Sequence, residues 1–95
     1  MLMKAQELLN ARIKQGDDAF AELRVWRLPK PVRSSTHLFK YRLAFVTAGV
    51  CVLRFDNEAG KGDHCHIGSV ETPYMFTSVD NLLADFWCCV DDWRR

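Results

Sequence analysis

The chain reads as a single α+β domain over residues 1–95. The expected architecture is an antiparallel sheet of about four to five strands in a meander, packed on one face by a C-terminal α-helix. Two observations carry that expectation. Apolar and polar side chains alternate with a period of two in three separate stretches, and turn-forming residues stand between them. From Val79 onward the period lengthens to that of a helix.

The first element is open between two forms. Leu9, Ala11 and Ile13 alternate with Asn10, Arg12 and Lys14, and Gln15-Gly16-Asp17-Asp18 is a turn-rich break before Ala19, which favours a hairpin. A short amphipathic helix from Met3 to Ile13 competes, because Ala, Gln, Glu, Leu, Arg and Lys are all good helix formers. The second segment is clearer: Ala21, Leu23 and Val25 share one face, Glu22, Arg24 and Trp26 the other, and Pro29 and Pro31 end the run. The polar, proline-bearing stretch from Pro29 to Thr36 is the expected mobile connection. A second hairpin follows. Phe39, Tyr41, Leu43 and Phe45 share a face opposite Lys40 and Arg42, Thr47-Ala48-Gly49 turns the chain, and Val50 to Asp56 returns with Cys51, Leu53 and Phe55 opposite Val52, Arg54 and Asp56. In the last element Val79, Leu82, Leu83, Phe86, Val90 and Trp93 form one apolar stripe for the aromatic face of the sheet, while Thr77 and Asp80 have the spacing of a capping box. Pro73-Tyr74-Met75-Phe76 is expected to close the edge of the core.

Composition excludes several classes. With 48% apolar and 12% aromatic residues the chain can build a core and is not of the disordered type. Its longest apolar run, Leu43 to Leu53, falls well short of the roughly 20 residues a membrane helix needs. Residues 1–7 lack the apolar core of a signal peptide, which places the protein in the cytoplasm and away from membranes. Four cysteines without a CxxC spacing, two of them adjacent at Cys88 and Cys89, fit reduced thiols rather than disulfides or a structural zinc site.

The net charge of +1 conceals a division. Arg24, Arg27, Lys30, Arg33, Lys40, Arg42 and Arg54 follow one another with no Asp or Glu between them, whereas from Asp56 to Trp93 eight acids stand against Lys61 alone. Two readings fit: solvated faces that attract each other, or a basic sheet that tracks phosphates. If the strands pair in order, Arg24, Lys40, Arg42 and Arg54 share the outer face with Trp26, and cations interleaved with an aromatic suit single-stranded nucleic acid.

The stretch Arg54 to Gly68, R-F-D-N-E-A-G-K-G-D-H-C-H-I-G, concentrates the chemistry. His64 and His66, two apart, point to one face of an extended segment. Two imidazoles can serve as general base and general acid, with Lys61 and Arg54 holding the non-bridging oxygens of a phosphodiester and Asp63 orienting a histidine. That set would cleave RNA with no cofactor. A divalent metal is the alternative, with Asp56, Glu58, Asp63, His64 and His66 as candidate ligands. Histidines that only satisfy a turn are the structural reading. The Gly60-Lys61-Gly62 unit would let backbone N–H groups approach phosphate, although it is not a Walker loop.

Phe39-Lys40-Tyr41-Arg42-Leu43-Ala44, Val52 to His64, His66-Ile67-Gly68, Tyr74, Phe76-Thr77-Ser78 and Leu83 to Trp87 together resemble the TumE-type toxins of bacterial and archaeal toxin-antitoxin pairs. The resemblance runs from about Ala19 to Arg94 and is weakest over residues 1–15. Cys65 stands where that pattern carries a variable, often basic, residue, a departure that touches neither histidine. The resemblance implies the toxin of a type II pair, held inactive by a cognate helix-turn-helix antitoxin. It does not specify the reaction. RNA is the expected target of cleavage; a toxin that only binds nucleic acid or the translation machinery through the basic sheet, a metal-dependent phosphodiesterase or nucleotidyl-transferring toxin, and an interaction module without toxicity are the alternatives. A sheet edge open to a second copy would allow a homodimer.

Overall fold

The computed structural model describes residues 4–58 and 60–95. Met3, where the helical alternative for the N-terminus begins, lies outside them. Six strands run in sequence, β1 (Gln6–Lys14), β2 (Ala19–Arg27), β3 (Phe39–Thr47), β4 (Val50–Asp56), β5 (His64–Ile67) and β6 (Val70–Pro73), before the helix α1 (Val79–Trp93). Each strand pairs antiparallel with the next, so the sheet is an uninterrupted meander. The α+β class and the single C-terminal helix agree with expectation. The strand count exceeds the expected four to five, because β5 and β6 have only four residues each and carry too short an apolar alternation to be read as strands.

The N-terminal element is a strand. Leu9, Ala11 and Ile13 pair with Val25, Leu23 and Ala21, and pairing against β2 overrides the local helical preference. On the inner face of the sheet Ala21, Val25, Tyr41, Leu43, Phe45, Leu53 and Phe55 meet Leu82, Phe86 and Val90 of α1, all of them buried. Phe86 stands edge-on to Phe55 with centroids 5.9 Å apart, an arrangement that places the electropositive ring edge on the electron-rich face. No helix among the described residues is long and apolar enough to cross a membrane.

Two local expectations are corrected. The N-cap of α1 is Ser78, whose hydroxyl accepts from the Asn81 N–H at 3.1 Å, and Thr77 instead accepts from the Asn81 side chain. Cys51 is exposed rather than lying with Leu53 and Phe55, because the register slips by one residue between Phe45 and Val46, so Cys51 faces Val46 and Val52 turns toward the core. The two-residue turn beyond it carries positive φ at both positions, 50° at Ala48 and 77° at Gly49, as a type I′ hairpin requires.

The connection between β2 and β3, expected as the mobile one, is tied to the connection between β4 and β5. The Gly60 N–H donates to the Arg33 carbonyl at 3.1 Å. A Cβ at Gly60 would meet the Arg33 guanidinium at 3.0 Å, and one at Gly62 the Ser34 carbonyl at 3.1 Å. The glycine pair is therefore needed for close approach of two loops. Asn57, fully buried where β4 ends, completes the joint: its side-chain carbonyl accepts from the Tyr41 N–H at 3.0 Å and its amide donates to the Phe39 carbonyl at 2.7 Å. The side chain does for β3 what another residue of β4 would have done, while the backbone turns away toward β5.

Asn57→Ala leaves those two backbone groups unpaired in the interior and is expected to cost about 2–4 kcal/mol, read from urea denaturation. A second outcome concerns pH. Burial, and then the Asp63 carboxylate, raise the Tyr41 phenol well above its ordinary value of 10.0. The unfolded phenol ionises first, so this contribution to stability is complete below pH 10.0 and is lost as the pH rises above it. Thermal unfolding of Tyr41→Phe should accordingly show a shallower loss of Tm above that pH than the parent chain.

Candidate functional site on the open face of the sheet

The face that α1 does not cover is built by the even-numbered positions of β2 to β5. Register sets Arg24 opposite Arg42, Trp26 opposite Lys40, Arg42 opposite Asp56, Arg54 opposite His66 and Asp56 opposite His64. The expected phosphate-tracking residues and both histidines thus lie on one surface, although they are read from four separate strands. A concavity of about 390 Å³ between β2 and β4 is lined by Trp26, Lys40, Arg42, Arg54, Asp56 and Glu58. Arg54 and Asp56 belong both to this hollow and to the histidine cluster beside it.

The cluster is continuous. Arg54 donates through Nη2 to Nε2 of His66 at 2.9 Å, and its Nε lies 3.0 Å from Oδ2 of Asp56. The other carboxylate oxygen of Asp56 sits 2.6 Å from Nε2 of His64 and is buried without a hydrogen bond. Nδ1 of His64 lies 3.0 Å from the Gly62 carbonyl, which can only accept, so Nδ1 carries hydrogen. A guanidinium can only donate, so Nε2 of His66 presents its lone pair and that ring is the Nδ1–H tautomer. The two imidazoles meet edge to face, 5.2 Å between centroids. They differ in access: the His64 side chain is 6% exposed and that of His66 24%.

Glu71 on β6 joins the group and escaped the sequence reading. One of its carboxylate oxygens lies 3.8 Å from Nε2 of His64 and 3.7 Å from Nε2 of His66. Pairing of Glu71 with His66 across β5 and β6 puts it there, and only knowledge of the Gly68 turn could have revealed it. Its side chain is 48% exposed, free to leave the point on which both nitrogens converge.

Two expected members stand elsewhere. Asp63 accepts from Ser35 through Oδ1 at 2.6 Å, while its Oδ2 accepts from Tyr41 at 2.8 Å and lies 2.6 Å from Nε2 of His37, a histidine the sequence reading did not single out. It does orient an imidazole, but one that stacks on Phe76 at 3.8 Å, with Nδ1 accepting from the Phe39 N–H. This is a clasp on the long β2–β3 connection, with all three donors used. Lys61 is exposed in the turn after Glu58, where its backbone N–H donates to the Glu58 carbonyl. Of the candidate metal ligands, His64 and His66 are brought together, but the carboxylate that completes a ligand set with them is Glu71 rather than Glu58 or Asp63.

The basic face is partly neutralised from β1 and β2. Arg12 pairs with Glu22, and Glu7 lies 4.0 Å from Arg24. Arg24 covers Trp26 at 4.7 Å from the ring centroid, with its Nε buried and without an acceptor, and Lys40 stands 5.8 Å from the same ring. Lys40 and Arg42 remain exposed.

A family model described as "Toxin TumE" matches residues 3–94. The chain belongs to the TumE toxin family. No curated protein and no solved structure matches the chain. Membership of the TumE family makes a toxin role the frame for this surface, and a toxin implies an antitoxin partner. The tautomer assignment is checked by nitrogen-15 NMR at neutral pH: His66 should show the pattern of hydrogen on Nδ1, and Arg54→Ala should release that preference toward the Nε2–H form common in water.

Proposed function

We propose that this protein is the toxin of a type II toxin-antitoxin pair and arrests growth by cleaving single-stranded RNA on the open face of its sheet. The observation that carries the reading is the convergence of the two Nε2 atoms, at 3.8 and 3.7 Å, on the single point that a Glu71 oxygen takes, beside a guanidinium and next to the basic hollow. An oxygen of a phosphodiester placed there meets one nitrogen with a lone pair and another that stands 2.6 Å from the Asp56 carboxylate.

The residues divide the reaction accordingly. Arg24, Lys40 and Arg42 lie along the path of the backbone phosphates and Trp26 offers a stacking surface to a base, an arrangement that suits unpaired strands of any sequence. The scissile phosphate sits at Arg54, which exchanges His66 for a non-bridging oxygen and neutralises charge as the phosphorus becomes five-coordinate. His66 takes the proton of the ribose 2′-hydroxyl, and that oxygen attacks phosphorus. The bond from phosphorus to the 5′-oxygen breaks, His64 delivers its Nε2 proton to the leaving oxygen, and the products are a 2′,3′-cyclic phosphate and a 5′-hydroxyl. Asp56 holds His64 and Arg54 in register throughout. Lys61, on the loop above β5, adds positive charge as the substrate docks. Glu71 swings out when substrate enters.

The antitoxin, in this reading, covers the same face. Lys40 and Arg42, exposed beside the hollow, favour an acidic segment over a neutral one.

Induced expression in a naive host, with total RNA from each culture, is the test. The parent chain should arrest growth and fragment RNA, and His66→Ala and His64→Ala should lose both by about 100-fold or more in cleavage rate, the usual loss on removing a general acid or base. Arrest with intact RNA in either variant would instead favour a toxin that acts by binding. In that case Lys40→Glu and Arg42→Glu should be the severe substitutions, with affinity falling steeply in salt.

A further inference from the structure

The convergence of two imidazole nitrogens and a carboxylate oxygen has a second chemical meaning. We propose that His64, His66 and Glu71 bind one borderline divalent transition-metal ion of the zinc, cobalt or nickel class, and that Arg54 is the cation that takes its place when the ion is absent. Bound there, the ion would silence the toxin by occupying both nitrogens; that regulatory half rests on the ribonuclease reading above, and the binding half does not.

The geometry supports the site on three counts. The ligand atoms of the three residues lie within 4.8 Å of one another, and both contacts to Glu71 are under 4 Å, at 3.8 and 3.7 Å. Tetrahedral bonds of about 2.0–2.1 Å bring ligand atoms to about 3.3 Å apart, so rotation of the half-exposed Glu71 closes its own two contacts and the two imidazoles must draw together for the rest. Nδ1 of His64 already donates to the Gly62 carbonyl, the outer hydrogen bond that orients a metal-binding imidazole and fixes its tautomer. Two imidazoles with one carboxylate suit this class of ion better than calcium or magnesium, which prefer oxygen alone.

Arg54 and Asp56 explain how the site passes between two states. Nη2 of Arg54 holds the lone pair of His66 that a metal would use, and Asp56 holds Nε2 of His64. When the ion enters, it takes the Nε2 lone pair of His64, and any proton carried there passes to solvent. Asp56 is then a free carboxylate, and it retains the guanidinium through the Nε contact at 3.0 Å as Nη2 releases His66. The competition between one guanidinium and one metal ion gives the proposal an unusual sign: removing a positively charged neighbour that touches a ligand should tighten binding.

Titration of the purified full-length chain with Co²⁺, followed by absorption spectroscopy, tests this. One equivalent should bind with the visible bands of a tetrahedral nitrogen and oxygen site, without the near-ultraviolet charge-transfer band of thiolate ligands. Glu71→Gln and His66→Gln should each weaken binding by about tenfold or more. Arg54→Leu should tighten it by about tenfold, the scale of one unit charge withdrawn from a few ångströms away. Ligation by cysteine, binding unaltered in Glu71→Gln and His66→Gln, or weaker binding in Arg54→Leu would each overturn the site. The regulatory half is read separately, by RNA cleavage in chelator and then with Zn²⁺ added. Cleavage in chelator that Zn²⁺ suppresses in the parent chain, but less in Glu71→Gln, supports it. Cleavage at full rate with the ion bound overturns it. No cleavage in chelator, with metal binding intact, overturns the metal-free ribonuclease reading and leaves the binding site standing.

Discussion

The Asp56 carboxylate, almost out of water at the end of β4, holds the open face in one arrangement. One oxygen faces the Arg54 Nε at 3.0 Å and the other the His64 Nε2 at 2.6 Å. A buried carboxylate between a guanidinium and an imidazole is not cheap, because desolvation offsets much of the attraction, and an apolar trio of similar shape would serve stability as well. Its consequence is positional. Arg54 is drawn along the sheet until its far nitrogen reaches His66, and His64 is turned until its own Nε2 faces the same point as that of His66. Remove the carboxylate, and the guanidinium keeps only His66 and the buried imidazole only the Gly62 carbonyl.

Asp56 is itself held by the residues after it in the chain. Asn57 locks the end of β4 to β3 through two backbone groups, and the turn beyond it can reach β5 only because Gly60 and Gly62 let two loops touch. Asp63 then fastens that turn to the β2–β3 connection through Ser35, His37 and Tyr41. The acidic and glycine residues of the central motif therefore divide by face. Those that end strands on the open side form the candidate site, and those in the loop keep β4 and β5 in register beneath it. This division also bears on a buried phenol: burial first, and then donation into the Asp63 clasp from the core side, hold the Tyr41 proton.

How far the sequence could be read depends on the same physics. Long strands with strict alternation, β2, β3 and β4, declared both their existence and their faces, so the grouping of Arg24, Trp26, Lys40, Arg42 and Arg54 was legible before any coordinate. The period of two also placed His64 and His66 together. Pairing between segments far apart in the chain, and everything that depends on it, was not legible. Asp63, adjacent to His64, looks like its partner, yet adjacent residues of an extended chain point to opposite faces, and Asp63 serves a histidine 26 residues earlier. Glu71 joins the site through a four-residue strand whose side chains alternate too briefly to announce it. Cys51 changed faces through a single bulge, a shift of one residue that no composition foretells.

The open face brings together groups of three kinds: a guanidinium that donates to an imidazole lone pair, and a carboxylate within 4 Å of both histidines. In a surface shaped only for solubility those contacts would relax, since exposed charges gain little from fixed geometry. Here the guanidinium is held on one side by Asp56 and can release its other partner without losing its place. On the proposed readings an anionic phosphate would draw Arg54 off His66, and a metal ion would displace it. Both visitors would meet the same two nitrogens, and both would expel Glu71 from its resting point or recruit it. A site whose resting state already contains a stand-in of each sign, Arg54 for the cation and Glu71 for the anion, would on these proposals be poised between a reaction and its inhibition, and a toxin that must remain harmless until released is a setting in which that balance has a use.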